Sequence, residues 1–261
     1  MKRKNIFQRY LFRRDFFWKV KEKVHWFIRN NTRNAFKDQR ILLNNLKNGV
    51  IFDVGAHVGD TTELYRKYFS IPSIFCFEPF SESCDYLKKR FINDSNINIV
   101  ETALGSKDET KPLYVSNFPN LNSLQRPNER AWGFADKKSV DVETITLDQF
   151  YYENDIKQID ILKLDVQGSE LDVLMGSKTI LEKGNISLVY VEWQVVPLYE
   201  NHHKYFKIAE FLAGYEYEFF NLYNINESRS GQIRWADAIY TSKKIREVMV
   251  SESGTGAGSG W

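Results

Sequence analysis

Short apolar runs alternating with amphipathic stretches predict an α/β fold, a doubly wound parallel sheet covered by helices on both faces. Three observations carry this. The run Val50-Ile51-Phe52-Asp53-Val54 passes directly into the glycine turn Gly55-Ala56-His57-Val58-Gly59. A second run, Ile74-Phe75-Cys76-Phe77, ends on Glu78-Pro79. A third, Ile159 to Asp165, ends on an acid and turns at Gly168. Continuous apolar runs of this length suit parallel strands buried on both faces.

The elements follow in order. Residues 1–49 read as a basic helical extension, because Ile6, Tyr10, Phe17, Val20, Val24, Phe27 and Ile28 fall near helical spacing with cations between them. After the first strand, a helix is expected from Thr61 to Phe69 with Asp60 as its N-cap. The second strand is followed by a helix from Ser81 to Phe91, then a strand from Ile97 to Glu101. Residues 105–140 hold Pro112, Pro119, Pro127 and Gly133, which predict loops and a hairpin. Thr144 to Tyr152 reads as a short strand and a helix. The strand ending at Asp165 leads into one helix, Glu170 to Glu182. A fifth strand spans Ile186 to Glu192. A helix over Tyr205–Ala213 and strands over 215–221 and 236–241 complete a body spanning residues 50–245. The Gly/Ser-rich tail, 246–261, reads as a flexible linker.

Composition narrows the classes. Hydrophobic residues make up 43% of the chain, enough for a packed core and against wholesale disorder. Aromatics reach 15%, which suits a Phe- and Tyr-filled core first and a large pocket second. Cys76 and Cys84 are too few for a disulfide framework, which points to a reducing, cytoplasmic setting. No apolar run approaches the roughly 20 residues needed to cross a bilayer. Residues 1–40 hold 13 Lys or Arg and 3 Asp or Glu, a charge of +10. The whole chain carries +2, so the remainder carries +2 − 10 = −8. The favoured reading of the head is an arm packed on the body or on a second subunit, a homo-oligomer. The alternative is a basic helix on an anionic membrane surface, giving a membrane-peripheral protein.

Ligands of doubly wound sheets bind beyond the carboxyl ends of the strands. Asp53-x-Gly55-Ala56-x-x-Gly59 brings backbone close to a ligand and offers the amides of the next helix. Glu78, at the next strand end, can accept hydrogen bonds from both hydroxyls of a ribose. A dinucleotide loop would read G-x-G-x-x-G; here His57 takes the second glycine position, which disfavours a diphosphate. Asp165 and Glu192 end neighbouring strands. Such a pair could bind a divalent cation, act as general base on a hydroxyl, or hold an ammonium group. The bland alternative has Asp165 capping the next helix and Glu192 paired with Lys163.

These segments, together with Thr146-Leu147-Asp148, Leu162-Lys163-Leu164-Asp165-Val166-Gln167-Gly168-Ser169-Glu170 and Val191-Glu192-Trp193, resemble the FkbM family of methyltransferases in order and spacing. The resemblance covers about Val50 to Tyr240. It implies a Rossmann-like class I methyltransferase sheet of seven strands with the last antiparallel, S-adenosylmethionine as cofactor, and a hydroxyl of a sugar, glycan, glycolipid or related small molecule as acceptor. Carried over, Asp53, Gly55 and Gly59 would line the methionine end, and Ala56 and His57 of the same turn would also bind the cofactor. Glu78 would hold the ribose, Pro79 and Phe80 would flank the adenine, and Thr102 and Ala103 would form its rim. Asp165 would sit where cofactor and acceptor meet. Two positions depart from the family: His57 stands where Asn is usual, and Gln167 where Glu is usual.

Methyl transfer needs an acceptor aligned with the sulfonium methyl and a base for its proton. The candidates are Asp165, Glu192, His202 and His203. Asn122, Ser123 and Trp132 could reach the pocket from the irregular middle segment. Two rivals remain. One is ribose methylation of RNA, suggested by the basic head and by Lys163, though the acidic body argues against nucleic acid. The other is a non-catalytic binding domain.

Overall fold

The structure is a computed structural model that describes residues 34–252 except 45, 71, 132, 135–137 and 201–203. The basic head up to residue 33, Trp132, His202, His203 and the end of the tail lie outside the described residues. The chain runs through α1 (Ala35–Leu42), β1 (Val50–Val54), α2 (Asp60–Tyr68), β2 (Ser73–Phe77), α3 (Ser81–Arg90) and β3 (Ile97–Val100). A middle section follows with β4 (Ala103–Leu104), β5 (Glu109–Val115) and β6 (Lys138–Ile145). Then come α4 (Leu147–Glu153), β7 (Ile159–Leu164), α5 (Glu170–Met175), α6 (Lys178–Glu182) and β8 (Ile186–Gln194). The chain ends in α7 (Tyr205–Ala213), β9 (Glu218–Glu227), β10 (Ile233–Thr241) and α8 (Lys243–Glu252).

Seven strands form one sheet in the order β3-β2-β1-β7-β8-β10-β9. The first five are mutually parallel, and β10 is antiparallel to both neighbours. This is the expected seven-stranded sheet with its last strand reversed. The reversal follows from a tight link. Ser228 N donates to Gln232 O at 2.8 Å, and Gly231 takes φ +84°, so β10 folds straight back along β9.

Alternation within β1 explains the two-sided cover. Ile51 packs into the core on one face with Ile74, Tyr65 and Leu188. Phe52 packs on the other face with Phe77, Phe150 and Leu162. Both are at most 1% exposed, so neither face of the central strands meets water. Truncating a ring such as Phe52 would cost roughly 3–5 kcal/mol.

Three local expectations are corrected. Asp60 does not cap α2; Gly59 does, at φ +85°, and Asp60 instead pairs with Arg90 at 2.7 Å. The hairpin in the middle segment is β5 with β6, reaching past residue 140 to Ile145, and β4 joins β6 to make a second small sheet. Pro112 is tolerated because β5 is an edge strand. The helix expected over 170–182 is broken at Gly176, where a Cβ would lie 2.0 Å from the carbonyl oxygen of Gly105. The Asp148 carboxylate then restarts helix α6 by accepting from Thr179 N at 2.9 Å and Ile180 N at 3.0 Å.

Candidate functional site

Chain order reverses between β1 and β7, and the informative side chains gather at the carboxyl ends there. The turn after β1 is tied to β2, because Gly55 N and Ala56 N both donate to Phe77 O, at 3.0 and 3.1 Å. Gly55 has φ +76°, and a Cβ on it would lie 1.9 Å from Asp165 O. Only glycine fits between the two strand ends.

Glu78 is 7% exposed and accepts from two backbone amides, His57 N at 2.9 Å and Phe80 N at 2.9 Å. Burial raises its pKa, and these two donors pull it back. One donor binds each carboxylate oxygen, so each oxygen keeps a lone pair for a further donor. His57 holds φ +49° to deliver its amide to Glu78. Burial lowers the imidazole pKa, against the charges of Asp60 and Asp165.

These residues line an open cleft at the carboxyl ends of the strands. Gly55, His57, Glu78, Pro79, Thr102 and Ala103 form one side. The small sheet and the loop after it supply the other through Leu113, Pro119, Asn122 and Leu124. Asp165, Val166 and Gln167 close one end. Ser123 is not a lining residue: its Oγ donates to Gln167 O at 2.7 Å and ties down the loop after β7.

Four of the expected cofactor residues are not among those that line this cleft. Asp53 is fully buried, Ala56 is 4% exposed, Gly59 packs on Leu87 and Phe91, and Phe80 is not in the lining. Asp53 has a clear task there. Lys163, its register partner on β7, brings its ammonium to 3.0 Å from Asp53 Oδ1. The same ammonium donates to Gly55 O at 3.0 Å and Val54 O at 3.3 Å, and stands 3.9 Å from Asp165 Oδ2. Burial alone would lower the lysine pKa, but Asp53 and Asp165 hold it above the usual range. Lys163 is therefore the internal cation of the glycine turn. It is 5% exposed, so its charge is not offered to a polyanion, which removes one support for an RNA substrate. Glu192 does not pair with it, and Asp165 does not cap α5. Glu170 accepts from Val166 N at 3.0 Å and Gly168 N at 3.1 Å in that loop.

Asp165 also lines a second cleft with Lys163, Glu192, Asp237, Tyr190 and Asn224. Burial and the Asp165 charge push the Glu192 pKa well up. Asp237 is the cross-strand partner of Glu192 and accepts from Tyr190 Oη and Asn224 Nδ2, each at 2.7 Å. Asp237 escaped the sequence reading. Its signal was a lone acid within the otherwise apolar run Ala236-Asp237-Ala238-Ile239-Tyr240.

A divalent cation does not fit between Asp165 and Glu192, because the Gln167 amide nitrogen lies there, 2.9 Å from one carboxylate and 3.3 Å from the other. Among the described residues, no group of three or more His, Cys, Asp or Glu side chains could hold a metal ion. No described helix is long and apolar enough to cross a membrane.

Comparison with known proteins bears on this arrangement. Residues 53–219, more than half of the chain, match the family model described as the methyltransferase FkbM domain. The chain is 26% identical over 178 residues to the 2-O-methyltransferase NoeI of Sinorhizobium fredii, covering 64% of this chain and 72% of that protein. It is 31% identical over 174 residues to the methyltransferase sdnD of Sordaria araneosa, covering 55% of this chain and 66% of that one. The crystal structure of methyltransferase FkbM from Methylobacillus flagellatus KT superposes with a TM-score of 0.50 at 14% identity. That match covers 75% of this chain but 43% of the other, and it bears on fold alone.

Proposed function

The chain belongs to the FkbM methyltransferase family, and from that membership we propose that it moves a methyl group from S-adenosylmethionine to a hydroxyl oxygen of a sugar, glycolipid or related small molecule. The observation that carries the reading is the convergence of Gly55, Glu78 and Asp165 on one cleft at the reversal of strand order. The cofactor supplies a methyl group already activated on a sulfonium. The protein has to bind, orient and accept a proton.

The residues fit that ligand. Glu78 keeps acceptor capacity towards the cleft for the ribose hydroxyls. Pro79, Thr102 and Ala103 offer an apolar rim beside it for the adenine. Lys163 occupies Gly55 O and Asp53. The α-ammonium of the methionine end is therefore left with Asp165, whose side chain is 40% exposed. Asp165 lines both clefts, so the acceptor hydroxyl would enter from the second cleft. Asp165 or Glu192 would take its proton there. Oxygen as acceptor is supported by the name of the Sinorhizobium relative, a 2-O-methyltransferase. A sugar is the acceptor class that the family resemblance favours.

The test is transfer of labelled methyl from S-adenosylmethionine into fractionated extract of the source organism. The reading expects an alkali-stable ether label in a glycan or glycolipid fraction. Label confined to RNA, or no transfer into any fraction, would reject it.

A further inference from the structure

Gln167 follows the strand-end acid Asp165 and has φ +53°, a conformation that non-glycine residues adopt sparingly. Its backbone is clamped: Ser123 Oγ donates to its carbonyl, and Glu170 accepts from the amides on either side, Val166 N and Gly168 N. The side chain is satisfied at both ends. Nε2 donates to Asp165 Oδ1 at 2.9 Å and to Glu192 Oε2 at 3.3 Å. Oε1 accepts from Gln194 Nε2 at 3.2 Å and from Tyr199 Oη at 3.2 Å. Two acceptors on one side and two donors on the other fix which way the amide points. Gln194 Nε2 adds a second donor to Glu192 Oε2 at 3.1 Å.

We propose that Gln167 is a positioning residue, whose neutral amide bridges Asp165 and Glu192 in the place where a divalent cation would otherwise join them. The pair is thereby held together at adjacent strand ends by hydrogen bonds, without a metal ion. An isolated pair of carboxylates would repel unless one of them kept a proton, and a donor between them relieves that repulsion. Here the donor is built into the chain and is held by a strained backbone before any ligand arrives. This inference rests on the reading of Asp165 and Glu192 as the acceptor-side pair. The charged and titratable groups around that pair are Lys163 on β7, Tyr190 on β8, Asp237 on β10, Glu170 on α5, His57 in the glycine turn and Tyr199.

Two measurements on the full chain test it, and neither uses the methyl donor, so they can fail while the methyltransferase reading stands. The first is Mn2+ titration followed by electron paramagnetic resonance. Gln167→Glu replaces the bridging donor with a third carboxylate and should bind Mn2+ at one site, at least about tenfold more tightly than the parent chain. Adding Glu192→Gln to that variant should abolish the gain. Equal Mn2+ affinity in the parent and Gln167→Glu would overturn the proposal. The second is urea unfolding of Gln167→Leu from pH 4.5 to pH 8. Without the bridge, the folded state binds protons more tightly than before, so the loss of stability should grow as pH rises. A loss equal at both ends of the range would mean that Gln167 only fills space, and would overturn the proposal even if Gln167→Glu failed to fold.

Discussion

Replacing Lys163 with Met should be among the most damaging single changes near the turn. The ammonium has a buried carboxylate, Asp53, at 3.0 Å and two backbone carbonyls at 3.0 and 3.3 Å. Met fills a similar volume but supplies no charge and no donor. Asp53 would then stay fully buried with Thr62 Oγ1, at 2.7 Å, as its remaining hydrogen-bond donor. Stranding one member of a buried ion pair costs about 3–5 kcal/mol. The assay is urea unfolding at pH 7, with Lys163→Met, Asp53→Asn and the double variant compared. Asp53→Asn keeps the acceptor for Thr62 and removes the stranded charge. The double variant should therefore recover at least about 1.5 kcal/mol relative to the sum of the two single losses. Because the lysine pKa is held above its ordinary range, its contribution is fully present below that range. A loss below about 1 kcal/mol, or strictly additive single losses, would refute the assignment of Lys163 as the cation of the turn.

Other consequences are equally direct. Burial pushes the Glu170 carboxyl up to about 7 from an ordinary 4.5, so between those values the folded chain keeps a proton that the unfolded chain has lost. Stability therefore falls as pH rises through that window. Relative to Glu170→Gln, the parent should lose roughly 3 kcal/mol between pH 4 and pH 8, as measured by urea midpoints; a constant difference would contradict it. Gly55→Ala drives a Cβ to 1.9 Å from Asp165 O at a positive φ. It should cost at least about 2 kcal/mol by thermal unfolding and weaken S-adenosylhomocysteine binding at least about tenfold. Asp148→Ala leaves the first amides of α6 without their acceptor and should cost about 1 kcal/mol with cofactor affinity unchanged.

The site was legible in the sequence where it lies at strand ends. A buried parallel strand reads as an apolar run, and an acid or glycine closing that run marks the carboxyl edge where ligands bind. Gly55, Glu78 and Asp165 were visible for this reason. What stayed hidden depends on strand order. Asp53 and Lys163 are register partners only because β7 lies beside β1, and nothing local to either residue reports that. For the same reason Lys163 was weighed for contact with RNA when its partner is inside the fold. Asp237 meets Glu192 across an antiparallel pair formed by the last strand, a contact between residues far apart in the chain. The break at Gly176 was missed because the obstacle is the carbonyl of Gly105, and helical periodicity continues through that point.

The central claim is that the cleft over the glycine turn is the seat of S-adenosylmethionine, with Glu78 as its ribose anchor. Calorimetric titration of S-adenosylhomocysteine into the full chain and into Glu78→Gln and Glu78→Ala tests this most directly. The account predicts one site per chain. The order of affinity should be parent, then Glu78→Gln, then Glu78→Ala, with the last weakened by about 10- to 100-fold, as the loss of hydrogen bonds to a charged group implies. No saturable binding to the parent chain, or the same affinity in all three proteins, would contradict it.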